Sequence, residues 1–240
     1  MKKSLIALAV AAALVPSLAM AEAGDIVVRL RATHISADES SKLGSQTDAT
    51  YAGTLSAGAL YKSSAELRVD SNTIPEIDFS YYITKNIAAE LILATGTRHD
   101  VSISGLNTSN SLVSQSNLGS VNLLPPTLTL QWHFNPDQTF DPYVGAGLSY
   151  VRAMDRSLTA QIADGTTRSI HIERNSFGPA IQAGVDYNLP DSKWLVNFDV
   201  KKIWFGTDVT LDLNRNGVYQ KIDSLDVDPW VVSVGVGRKF

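Results

Sequence analysis

Apolar and polar side chains alternate with period two over much of this chain. Ile26, Val28, Leu30 and Ala32 alternate with Val27, Arg29, Arg31 and Thr33. Ile77, Phe79, Tyr81 and Ile83 alternate with Glu76, Asp78, Ser80 and Tyr82. The same rhythm returns over residues 87–94, 127–134, 143–150, 181–189, 194–201 and 230–237. It predicts eight amphipathic strands, because successive strand side chains point to opposite faces.

The connections alternate too. Short ones are Thr84–Asn86, Asn135–Phe140 and Pro190–Lys193; long ones fall roughly at 37–74, 105–123, 155–175 and 212–223 and are rich in Ser, Thr, Asn, Asp and Gly. An even strand count with short turns on one side and long loops on the other is the layout of an outer-membrane barrel. The fold class expected is therefore all-β, an eight-stranded antiparallel transmembrane β-barrel. Strands in lipid must pair every backbone group, so the sheet has to close. Eight strands leave a lumen just wide enough for side chains or one small ligand. Inward Gly145, Gly147, Gly184, Gly235 and Gly237 suit that crowding, and Phe134, Tyr187, Trp194 and Phe240 suit a periplasmic aromatic girdle. A soluble sandwich or lipocalin-like barrel would also alternate. The asymmetric loops and the terminal aromatic favour the membrane form. Phe240 after Val232, Val234 and Val236 resembles the signal read by the outer-membrane assembly machinery, with Arg238 as a departure.

Composition narrows the function. The chain has 240 residues, of which 18% are charged, with a formal net charge of −4 and no Cys. Disulfides, thiolate metal sites and a Cys nucleophile are excluded, and mild acidity gives no footing for nucleic acid. Lys2 and Lys3, the apolar run Leu5–Val15 and Ala19-Met20-Ala21 read as a secretory signal peptide over residues 1–21. Its removal takes away two Lys and moves the net charge from −4 to −6. The barrel with its loops is then expected over 22–240.

Several segments resemble the OmpW family of outer-membrane proteins. They are Ile87–Leu91 after Thr84–Asn86, Leu124–Leu128 with Gln131-Trp132, Pro142–Gly147, Gln182–Tyr187, Trp194–Asn197 and Asp228–Trp230. They run in the family's order from the second strand to the C-terminus; residues 36–73 carry no such match. The resemblance implies an eight-stranded barrel with a hydrophobic lumenal cavity, passage of small hydrophobic compounds across the outer membrane, and a lateral route from the barrel wall into lipid.

By strand parity, the inward charges are Arg29, Arg31, Glu76, Asp78, Glu90, Arg98, Asp186, Asp199, Lys201 and Lys239. Charges in a narrow lumen persist when paired, so an ion-paired plug is expected, with an ion or proton pathway as the alternative reading. An apolar solute would then have to leave sideways through a break in strand pairing. Pro125 and Pro126, at the outer start of the fourth strand, and Pro179, near the outer start of the sixth, remove backbone donors there. Ile92 and Phe177 match positions that the resemblance implies for the cavity or gate, although Phe177 has outward parity. Leu123 and Leu124 are further candidates.

No catalytic site is expected. His99, Asp100 and Ser102 form the densest cluster, yet adjacent strand residues face opposite ways. No cofactor or metal is expected either. The expected partners are outer-membrane lipid, a small hydrophobic solute and, through Phe240, the assembly machinery, with the barrel a monomer. The alternative is a structural or receptor barrel with no transport role, which the long first loop favours.

Overall fold

The computed structural model describes residues 22–94, 97–106, 113 and 115–240. The expected signal peptide, residues 1–21, lies outside the described residues. Eight strands form the barrel: β1 (Ile26–Ser36), β3 (Asn72–Tyr82), β4 (Ile87–Ala94), β7 (Thr127–His133), β8 (Phe140–Asp155), β11 (Asn175–Asn188), β12 (Trp194–Ile203) and β15 (Trp230–Lys239). Each pairs antiparallel with the next in this order, and β15 pairs back with β1, from Val27 opposite Lys239 to Ser36 opposite Trp230. The closed ladder leaves no edge to lipid, which satisfies the backbone without water.

Alternation sets the two faces as the sequence implied. Leu30, Leu128, Leu130, Leu148, Val234 and Val236 stand outward and exposed, while Arg29, Arg31, Thr33, Asp78 and Gln131 are buried inside. An apolar exterior around a polar interior is a soluble protein inverted, and only hydrocarbon solvent makes it favourable. Phe134, Tyr187, Trp194 and Phe240 are exposed near the short turns. The guanidinium of Arg238 lies 5.4 Å from the ring centroids of both Trp194 and Phe240. The departure from the terminal pattern is thus accommodated as a cation held on two aromatic faces. Inward glycines leave room for the close packing of neighbouring strands and of the inward side chains beside them. A Cβ on Gly147 would sit 1.9 Å from the Leu128 carbonyl oxygen, and one on Gly184 would sit 2.4 Å from the Tyr143 hydroxyl.

The long connections differ from the irregular loops expected. They hold seven further strands: β2 (Glu66–Val69), β5 (Thr97–Ser104), β6 (Asn117–Leu124), β9 (Ser157–Gln161), β10 (Thr167–Ile172), β13 (Gly206–Asp212) and β14 (Gln220–Asp226), with helix α1 (Leu43–Thr50). Strands β2, β5 and β6 extend the barrel sheet, and β9, β10, β13 and β14 form a second one. The reason is hydrophobic. Leu67, Val101, Leu158, Ile170, Leu211 and Ile222 belong to one buried cluster that continues into the upper barrel through Val151, Ile203 and Val231. The first loop is tied down by Asp223, which is buried and accepts hydrogen bonds from the Lys42 backbone N–H (2.9 Å) and the Ser41 hydroxyl. Burial pushes the Tyr61 hydroxyl above its usual range, so it remains a neutral phenol within this cap. His171, stacked on Tyr219 at 4.2 Å, is held below the usual imidazole range by partial burial and by Arg156.

Candidate functional site

Mid-barrel, the inward residues of β1 face those of β3, β4, β11 and β12 and lock into a charged layer. Glu90 is its hub. One carboxylate oxygen, Oε1, lies 3.2 Å from Arg29 Nη1 and 3.3 Å from Arg31 Nη2. The other, Oε2, accepts from Gln131 Nε2 at 2.7 Å and from Gln182 Nε2 at 2.9 Å. Arg29 also forks onto both oxygens of Asp186, at 3.2 and 2.5 Å. Arg31 reaches Glu76 at 3.3 Å and Asp78 at 2.9 Å, and donates to Asn197 Oδ1 at 2.7 Å. The Tyr143 hydroxyl donates to Asp199 Oδ2 at 2.8 Å. Planar guanidinium groups suit this role, since each presents five donors in a fixed fork. Below the layer, His133 Nδ1 lies 2.7 Å from Asp141 Oδ2. His133, Asp141 and Asp186 stand close enough to offer ligand atoms to a metal ion, but Asp186 already carries the bidentate Arg29.

The structure therefore brings together Arg29, Arg31, Glu76, Asp78, Glu90, Asp186, Asp199 and Lys201. Lys239 is buried nearer the periplasmic mouth, and its Nζ forms no hydrogen bond among the described residues. Arg98 does not join them: it is exposed, and its neighbour His99 is buried instead. The cause is a shift of register. Ile92 pairs with Thr127, but the next described pair is Thr97 with Leu123, one residue out of step. Ala94 and Thr97 are both buried, so parity reverses between them.

Above the layer lies a cavity of about 680 Å³, mouth included. Its floor carries Glu76 and Lys201; its walls are largely apolar and include Ile35, Ile92, Leu123, Pro125, Ile203 and Phe205. A second cavity lies under the cap and shares Val69, Leu123, Val151, Phe205 and Val227 with the first. Sequence reasoning picked out Ile92, Leu123 and Pro125. It missed Ile35, Ile203 and Phe205, whose signal is inward parity continued along β1 and past the end of β12.

The other candidates are placed differently. Leu124 is exposed. Phe177 is 72% exposed on the outer face, with its ring 4.8 Å from that of Tyr150. Pro179 also faces outward, and the β8–β11 ladder runs past it without a break from Tyr187 opposite Phe140 to Asn175 opposite Arg152. Its carbonyl still accepts from the Trp204 N–H at 3.0 Å.

Pro125 and Pro126 join β6 to β7. Towards β8 the seam keeps its register: Thr127 faces Ser149, Leu124 faces Arg152, and the Pro126 carbonyl accepts from the Tyr150 N–H at 2.9 Å. Towards β4 and β5 the described ladder is interrupted from Ile92–Thr127 to Thr97–Leu123. Neither proline has an N–H with which to bridge it.

The OmpW family matches residues 22–240. The chain belongs to the OmpW family. Outer membrane protein W of Vibrio cholerae serotype O1 is 31% identical over 242 residues, covering 100% of both chains. The outer membrane protein OprG from Pseudomonas aeruginosa has the same fold, with a TM-score of 0.71 and 27% identity over 93% of this chain and 99% of that one. The outer membrane protein AlkL, whose structure was determined by solid-state NMR in DMPC bilayers, aligns with a TM-score of 0.59 and 27% identity, covering 91% of each chain. This OmpW-family chain is thus an outer-membrane β-barrel, in contact with lipid around its apolar girdle.

Proposed function

We propose that this OmpW-family barrel passes small hydrophobic molecules from the cell exterior into the outer membrane. A solute enters beneath the cap, occupies the apolar cavity and leaves sideways between β4 and β7. One observation carries the reading. Ile92, Ala94, Thr97, Leu123, Pro125 and Thr127 flank the interrupted ladder and also line the cavity. The space that suits an apolar solute therefore borders the stretch of wall with missing backbone donors. The ion-paired layer beneath supports a lateral exit over an axial one. An apolar molecule moving axially would have to separate Arg29, Arg31 and Glu90 without replacing their partners, which is costly in a low-dielectric interior. Phe177 and Pro179, on the lipid face and along an intact seam, take no part in this route.

Restoring the donors tests the exit. In the double variant Pro125→Ala and Pro126→Ala, uptake of a labelled aromatic hydrocarbon by cells is expected to slow severalfold. Backbone amides at 125 and 126 should become protected in hydrogen exchange. Unchanged uptake with unchanged pairing refutes the lateral exit. A receptor barrel without transport would give uptake equal to that of cells lacking the protein.

A further inference from the structure

The cavity is largely apolar, and at its floor a buried charged pair is left without a hydrogen bond between its members. Lys201 is buried in the floor, and its Nζ forms no hydrogen bond among the described residues; its nearest carboxylate oxygens, Glu76 Oε2 and Asp199 Oδ1, are each 3.9 Å away. Glu76 spends its Oε1 on Arg31 at 3.3 Å, and its Oε2 likewise has no hydrogen bond among the described residues. Most of the other polar groups around the space have partners. The Thr97 hydroxyl donates to the Leu123 carbonyl, Thr127 Oγ1 lies 2.9 Å from Ser149 Oγ, and His99 Nδ1 lies 2.8 Å from the Asp70 carbonyl oxygen.

A buried ammonium and a buried carboxylate oxygen 3.9 Å apart are too distant to bond each other. They are well placed to share one atom, since an oxygen can stand about 2.8 Å from both. That atom must accept from Lys201 and donate to Glu76, which a hydroxyl does and an ether, ester or halide does not. The surrounding charge argues against a charged head. A carboxylate head would add a further negative charge beside Glu76, and an ammonium head would meet Lys201.

We propose that the cavity selects hydrophobic molecules carrying one hydroxyl, with the apolar body in the upper lumen and the O–H bridging Lys201 and Glu76. This rests on the uptake reading above and names its substrate class.

The test titrates the reconstituted full-length barrel in lipid nanodiscs with 1-octanol, octane and octanoate, following the Ile92 methyl resonance by NMR. In the wild type, octanol should bind more tightly than octane or octanoate. In Lys201→Met, and separately in Glu76→Gln, the octanol preference over octane should shrink about tenfold, the usual worth of a hydrogen bond to a charged group. Taking the ratio cancels partitioning into lipid, and an Ile92 methyl that still shifts with octane shows that the variant cavity is folded. An octanol-to-octane ratio that stays the same in both variants overturns the proposal, as does tighter binding of octanoate. Wild-type protein whose Ile92 responds to octane without discriminating between the three refutes the hydroxyl site alone. Protein that responds to none of them refutes the uptake reading beneath it.

Discussion

Glu90→Ala is expected to cost the folded barrel about 3–5 kcal/mol, the penalty of stripping one partner from a buried ion cluster. Glu90 is completely buried, and a single oxygen of it lies between the guanidinium groups of Arg29 and Arg31. Its loss leaves those two cations facing each other across a vacated site. It also leaves the Gln131 and Gln182 amides without their shared acceptor. Asp186 and Asp78 still hold one arginine each, so the layer loosens without dispersing. Urea unfolding in lipid vesicles, read by tryptophan fluorescence, measures the loss. Glu90→Gln keeps the shape and an acceptor but no charge, and should fall between the two. A loss below about 1 kcal/mol would mean that the layer merely fills space, as an apolar core of equal volume would.

Leu123→Trp should abolish uptake while leaving the barrel folded. Leu123 is one of five residues that line both cavities. It sits on β6 opposite Thr97 and Ala153, where the cap meets the barrel. An indole there occupies the space between the two cavities, and a ligand site is lost when its neck is filled. Uptake of the labelled hydrocarbon should drop by about tenfold or more, because a pre-formed pocket tolerates little added volume. The mobility difference between heated and unheated protein on gels reports folding. Wild-type uptake in a folded Leu123→Trp barrel would show that the solute does not travel through this neck.

The barrel was legible because lipid and lumen impose opposite chemistry on alternate residues, and period two survives in all eight wall strands. The charged layer was legible for the same reason: Arg29, Glu90, Asp186 and Lys201 interrupt inward faces at one depth. The cap was not. Its strands are short, and runs such as Ser157–Gln161 and Thr167–Ile172 carry so much Ser, Thr and Gln that turn chemistry dominates the reading. Their weaker alternation, with Leu158, Ala160, Ile170 and Ile172 buried, makes sense only once a common core is seen. Arg98 was misplaced because parity was carried from β4 into β5, and a one-residue shift inverts every side chain beyond it. The cavity was half legible: Ile92 could be found from Glu90 and Phe205 from parity continued past β12, but Val227 belongs to a connection that only tertiary packing brings over the lumen.

The layer around Glu90 also fixes what kind of conductor the barrel is. Most of its charges are held against one another at close range, so a hydrated ion would have to shed water to enter between them. On the uptake route proposed above, additional copies would raise the capacity of the envelope for oil-soluble molecules while a hydrated ion still met this layer. Permeability to oil and leakiness to water would then be separate quantities, one set by the number of barrels and the other held down by the layer inside each.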